Sequence, residues 1–237
     1  MMVPVLVWLF AVPVQEPMPQ DVAPYALRGL PKRIVHDVAR LGTPPPLIAL
    51  GVGGALALVT HPADQASVKT MSGSEAIDET FDAGSLAGNL QPVAAVVVYA
   101  IGGLKHSPAV VEVGSALVEA QVVNGILTQV IKVAVDRTRP NGGSHSFPSG
   151  HTSATFATAD VLEQRFGWKV GLPAYLGGIY VGAARMAERQ HYLSDVVFGA
   201  AVGIASSRTA QIRTKHGTIA AYPAFTKGGA EIVFTVH

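Results

Sequence analysis

Ser146-Phe147-Pro148-Ser149-Gly150-His151-Thr152 is a short polar passage set between long apolar segments of a 237-residue chain. Its small residues let a backbone come close to a ligand, and a helical pattern opens near Thr152. The free N–H groups of such a helix start favour an anion. His151, in the first turn, is placed to give a proton to a departing oxygen. The same residues also suit an ordinary Pro/Ser/Gly loop with a capping serine. Taken alone, the passage leaves both readings open.

Upstream, Lys132-Val-Ala-Val-Asp-Arg-Thr-Arg139-Pro140 closes a helical pattern. Lys132 and Arg139 are seven positions apart, close to two helical turns, so both cations can project from one side. Pro140 is expected to stop the helix. The competing reading is a solvated basic helix end facing the negative end of the dipole. Asp136 and Arg137, between the two cations, are expected at the surface.

Downstream, Arg185-Met-Ala-Glu-Arg-Gln-His191-Tyr-Leu-Ser-Asp195 places His191 four residues before Asp195. On a helix, that carboxylate reaches one imidazole nitrogen and leaves the other free as a nucleophile. Arg185 adds a planar guanidinium suited to bridging phosphoryl oxygens. A structural His–Asp hydrogen bond is the plainer alternative. His145 reads as a surface histidine, and Glu112 and Glu119 as structural.

What changes the balance is the conjunction. K-x6-R-P, P-S-G-H and R-x5-H-x3-D follow one another within 64 residues. This pattern resembles the type-2 phosphatidic acid phosphatase and vanadium haloperoxidase superfamily, which also includes bacterial nonspecific acid phosphatases. The resemblance extends over the region from about Ala83 to Arg208. It implies an all-α fold, a helical bundle of the acid phosphatase/vanadium haloperoxidase type, and a phosphoric monoester hydrolase activity. By position, it gives His191 the role of nucleophile, Asp195 that of orienting its ring, and His151 that of acid to the leaving oxygen. Lys132, Arg139 and Arg185, with Ser149 and the N–H of Gly150, would hold the phosphate. No metal and no cofactor are expected, since these cations supply the charge. The family's third motif usually begins Ser-Arg, whereas Ala184 precedes Arg185 here, which removes one hydroxyl contact. A haloperoxidase would use the same cradle for vanadate, but such enzymes are generally much larger.

Composition frames these motifs. Apolar residues form 49% of the chain and charged residues 14%, with a net charge of +1, so nucleic acid is not an expected partner. The low charge and high Ala, Val and Gly content suit helices buried on most sides, in a compact bundle or against lipid. With no cysteine, disulfides, thiolate metal sites and cysteine nucleophiles are excluded. Met1 to Val14 is apolar but interrupted by Pro4 and Pro13, and residues 1–26 are a candidate signal or anchor segment.

Residues 27–212 are expected to form the helical phosphatase domain. Helical patterns run over Arg28–Leu41, Ala83–Leu104, Pro108–Val135, Thr152–Phe166, Lys169–Met186 and Ser194–Ile212. Pro44 to Pro46 break the first of these, and Leu47 to Thr60 follows as an uncharged run. His61–Asp82 reads as a polar loop. The fully apolar runs look short for crossing a bilayer, and the polar groups of Pro108–Val135 suit a bundle better than lipid. In residues 213–237, two β-prone runs, Ile219–Phe225 and Glu231–Val236, flank Thr226-Lys227-Gly228-Gly229 and predict a C-terminal β-hairpin.

The expected function is thus phosphate-ester hydrolysis through a phosphohistidine, on lipid phosphates or diphosphates at the cell envelope, periplasmic or membrane-associated. The alternatives are a soluble periplasmic acid phosphatase, a noncatalytic membrane protein, and placement as an integral inner-membrane enzyme.

Overall fold

The computed structural model describes residues 27–72 and 75–210, and the strands 219–226 and 229–236. The candidate signal or anchor segment 1–26 and the turn residues 227 and 228 lie outside the described residues. A 3-10 turn, Leu27–Gly29, leads into α1 (Leu30–Arg40). There follow α2 (Pro44–Thr60), a second 3-10 turn (His61–Ala63), α3 (Asp64–Met71), α4 (Glu75–Leu104) and α5 (Pro108–Val135). After a long loop come α6 (Gly150–Phe166), α7 (Trp168–Ala187) and α8 (Leu193–Ser207), and then the strands β1 (Ile219–Thr226) and β2 (Gly229–Val236). The strands pair antiparallel, with Thr226 opposite Gly229 and Ile219 opposite Val236, as the β-prone runs predict.

Local chemistry sets several boundaries. Pro44 and Pro108 open α2 and α5 at positions where the missing N–H has no intrahelical partner to lose. Pro44 to Pro46 therefore begin a helix as well as separating it from α1. Gly167 (φ +80°) takes the left-handed turn between α6 and α7. The carboxylate of Asp195 accepts the N–H of Tyr192, 2.8 Å away, and so caps the start of α8.

The core is built of small residues. Ala95 of α4, Val113, Ala116, Leu117 and Ala120 of α5, and Ala157 and Val161 of α6 pack together. Small side chains let helix backbones nearly touch. A Cβ added to Gly203 of α8 would lie 2.2 Å from the carbonyl oxygen of Ser153 in α6. One on Gly114 of α5 would lie 2.4 Å from Cα of Tyr99 in α4.

The outward faces are apolar too, at helical spacing. Val52, Leu56 and Val59 are exposed on α2, and Leu86, Leu90, Val93 and Val97 on α4. Ile126, Val130 and Val133 follow on α5, and Leu172, Leu176 and Ile179 on α7. Pro44–Met71, Ala83–Leu104 and Pro108–Val135 are each long and apolar enough to cross a membrane. The 22 residues of Ala83–Leu104 reach about 33 Å at the helical rise, against a hydrocarbon core of about 30 Å.

Several expectations are corrected. His61–Asp82 is not a loop: α3 and the start of α4 occupy most of it. The apolar runs are not too short to span, because the helices continue through polar residues that a count of apolar positions leaves out. In α5, Glu112, Glu119, Gln121 and Asn124 are all buried, so its polar groups face protein while its outer face stays apolar. The last helix ends at Ser207 rather than Ile212. Pro140 does not stop α5, which ends at Val135, with Asp136 in the left-handed region (φ +41°).

Candidate active site

Helix polarity brings the three motifs to one end of the bundle. Lys132 is in the last turn of α5, Gly150 and His151 in the first turn of α6, Arg185 in the last turn of α7, and Asp195 in the first turn of α8. Glycine contacts close the gaps. Gly150 has Cε of Lys132 3.9 Å from where its Cβ would sit. Gly88 of α4 lies over the His151 ring, and Gly199 of α8 lies against the backbone of Ser149.

The cations converge, each by its own supports. The ammonium of Lys132 donates to the carbonyl of His145 at 2.6 Å. Arg139 lies in the loop after α5, not on the helix, and donates to the carbonyl of Ser144 at 2.9 Å and to Oε1 of Gln190, next to the nucleophile candidate. Arg185 is buried and bonds Ser85 of α4 and Glu188, while its Nε has no hydrogen-bond partner. Lys132 is within electrostatic reach of Arg139, Arg185 and Asp195.

His191 is 2% exposed and sits in the loop before α8, not on the helix. Its Nδ1 is 3.7 Å from Oδ2 of Asp195 and has no hydrogen-bond partner. The pair is therefore brought together by the helix start. Burial pushes the imidazole down to about 4; Asp195 pulls the other way, and Lys132 and Arg185 add to the depression. The ring is neutral at pH 7, the form a nucleophile needs. His151 is likewise pushed down to about 4, first by burial and then by the charges of Arg185, His191, Arg139 and Lys132. Its Nε2 is buried with no hydrogen-bond partner. The buried His191 ring, the half-buried His151 ring and three cations therefore share one electrostatic neighbourhood.

Ser149 is buried, its hydroxyl paired with that of Thr152 at 2.9 Å. Its N–H donates to the main-chain carbonyl of Asp195 at 3.0 Å, tying the second motif to the third. Burial pushes the Asp195 carboxyl up, but the neighbouring His191 ring, Ser146, the Tyr192 N–H and Arg137 outweigh it and hold it below its ordinary value. Ser146 donates to Oδ2 at 2.5 Å, and Arg137 to Oδ1 at 2.7 Å.

Sequence reasoning missed that last group. Arg137 is not a surface cation: it donates to both Asp195 and Asp64, 2.7 Å each. Asp64, read as loop, accepts from the N–H and hydroxyl of Ser194. An Arg two residues before the Arg-Pro pair was visible, but nothing local distinguished it from a helix-end charge. Ser85, Glu188 and Gln190 carried no signal at all, since their parts come from contacts distant in sequence.

The PAP2 superfamily model matches residues 141–216, the stretch holding the second and third motifs. Residues 141–216 belong to the PAP2 superfamily. Within the curated proteins, the lipid A 1-phosphatase of Porphyromonas gingivalis is 36% identical over 77 residues, which cover 31% of this chain and 17% of that protein. The chain thus matches under a fifth of that relative's length. Among solved structures, the PAP2 fold recurs in a transmembrane phosphatidylglycerolphosphate phosphatase from Bacillus subtilis. Its TM-score is 0.57 at 19% identity, over 69% of this chain and 92% of that one. LpxE from Aquifex aeolicus gives 0.53 at 19% identity, over 61% and 92%. These likenesses establish the all-helical PAP2 fold.

Proposed function

We propose that this chain is a metal-independent phosphohydrolase that acts on lipid phosphates or diphosphates at the cell envelope through a phosphohistidine. The observation that carries the reading is the meeting of His191 and His151 with Lys132, Arg139 and Arg185 at one end of the bundle. Nε2 of His191 attacks phosphorus as the bond to the leaving oxygen breaks. His151 gives that oxygen its proton. Water then attacks the phosphohistidine, with His151 taking its proton back, and phosphate departs. The cations, Ser149 and the N–H of Gly150 hold the equatorial oxygens, so catalysis is positioning plus electrostatic stabilisation.

His151 needs a proton to serve as acid, and burial together with the neighbouring cations disfavours one. An arriving phosphate dianion offsets the cations that depress the ring and raises its affinity for a proton. Substrate binding thereby arms the acid.

The lipid preference rests on the apolar outer stripes of α2, α4, α5 and α7. Large exposed apolar surfaces on a folded chain mark contact with membrane or protein. The named activity of the lipid A 1-phosphatase relative points to the same substrate class.

The test compares phosphatidate with a water-soluble nitrophenyl phosphate, with and without detergent and chelator. Turnover that persists in chelator and favours the lipid is expected. His191→Ala should abolish turnover and the trapping of labelled phosphate in acid-quenched protein; label found on another residue refutes the nucleophile.

A further inference from the structure

Asp195 is completely buried. A carboxylate in that position is stable only with a cation and hydrogen bonds around it. Its oxygens take bonds from Ser146, from the Tyr192 N–H and from Arg137. Of these, Arg137 alone carries charge. Lys132 acts on Asp195 only at a distance, and His191, at 3.7 Å, is neutral.

Both terminal nitrogens of the Arg137 guanidinium are engaged. NH1 reaches Asp195 at 2.7 Å and Ser194 at 2.8 Å, and NH2 reaches Asp64 at 2.7 Å. Its Cζ lies 4.2 Å from the centre of the Tyr192 ring. A phosphate oxygen at either terminal nitrogen would have to compete with a carboxylate already bound there. Asp64, at the start of α3, binds the same first turn of α8 through Ser194. His61 adds a contact on Asp64 at 2.8 Å.

We infer that Arg137 is the positioning residue that fixes the Asp195 carboxylate beside His191, by clamping it to Asp64 across the start of α8. The inference rests on His191 as nucleophile. A lysine cannot replace it, because one ammonium does not reproduce a planar fork spanning two carboxylates.

The groups facing Asp195 are Arg137, His191 and Lys132, with Asp64 and His61 behind Arg137. Removing Arg137 leaves Asp195 easier to protonate. It also leaves the negative charge that reaches His191 less compensated, so the imidazole protonates at higher pH. Both changes move the acid limb of kcat/KM upward.

The experiment uses the full chain purified in detergent, as wild type, Arg137→Gln, Arg137→Lys, Asp64→Asn and the Arg137→Gln/Asp64→Asn pair. Nitrophenyl phosphate and phosphatidate are the substrates, and melting temperature reports the fold. In Arg137→Gln, kcat should fall roughly 10–100-fold, the usual cost of losing a group that orients a functional side chain. KM should stay within about twofold, and the acid limb should rise by about one pH unit. Arg137→Lys should not rescue. Asp64→Asn should move the limb the same way by less, and the double variant should be no worse than Arg137→Gln.

A raised KM with kcat and the limb unchanged would make Arg137 a phosphate-binding cation and overturn the inference. If Arg137→Gln does not fold, Asp64→Asn carries the test, and an unmoved limb there overturns it equally. An inactive wild type would sink the functional reading and this inference with it. An active wild type whose limb is shared by both variants sinks this inference alone.

Discussion

His151 and His191 are the two imidazoles of the candidate site, and burial disfavours the protonated form of both. If His151 is the acid, His151→Ala should cost roughly 10²–10⁴ in rate on an alkyl phosphate. It should cost far less on nitrophenyl phosphate, whose oxygen leaves without a proton; equal losses on both substrates would contradict the assignment. The same residues couple folding to pH. Both imidazoles bind protons near pH 4 when folded and near pH 6.5 when unfolded. The unfolded chain therefore takes up more protons on acidification. Their contribution is fully present above pH 6.5 and is lost as pH falls toward 4. The melting temperature should drop across that window, and His191→Gln should flatten the drop. At this scale the sequence grouped Lys132, Arg139, Ser149, Gly150, His151, Arg185, His191 and Asp195 as one candidate phosphate site, because fixed internal spacings betray a motif. Arg137 and Asp64 escaped, because a partly buried ion pair between residues 73 apart leaves no periodic trace.

Helix contacts give the motifs their common address. Gly203 lets α8 lie on α6, and a methyl group there would meet the Ser153 carbonyl at 2.2 Å and the Ala157 nitrogen at 2.8 Å. Both are main-chain atoms and cannot swing aside. Gly203→Ala should destabilise by about 1–3 kcal/mol, and it should also lower activity by moving Asp195. Gly177 of α7 has nothing within 4 Å, so Gly177→Ala should be neutral or stabilise by about 0.5–1 kcal/mol. Thermal melting of the pair distinguishes packing from helix propensity. α5, α6 and α7 were legible, since apolar runs bounded by Pro and Gly mark them well, whereas the first turns of α4 read as loop. α3 was not. His61, Pro62, Asp64 and Lys69 have loop composition, yet Asp64 is polar because it anchors the start of α8.

The whole molecule is apolar on both its inner and outer surfaces. That is why hydrophobic periodicity alone left a compact bundle and a lipid-facing one equally open: the outer stripe of α4 repeats at the same spacing as its inner one. Burial sorts the residues of each helix into an inner and an outer set. The polar residues of α5 turn inward, while Ile126, Val130 and Val133 face out.

The placement of Lys132, Arg185 and Asp195 in terminal helical turns and of Arg139 in an adjoining loop, with no charged motif residue at mid-helix, has a kinetic consequence. If the outer stripes lie in lipid, the cradle opens at headgroup depth, and a lipid substrate arrives by diffusing sideways with its tails still among its neighbours. What the enzyme senses is then two-dimensional crowding. Diluting phosphatidate with inert detergent at fixed bulk concentration should slow turnover in proportion to its mole fraction in the micelle, while nitrophenyl phosphate hydrolysis stays level.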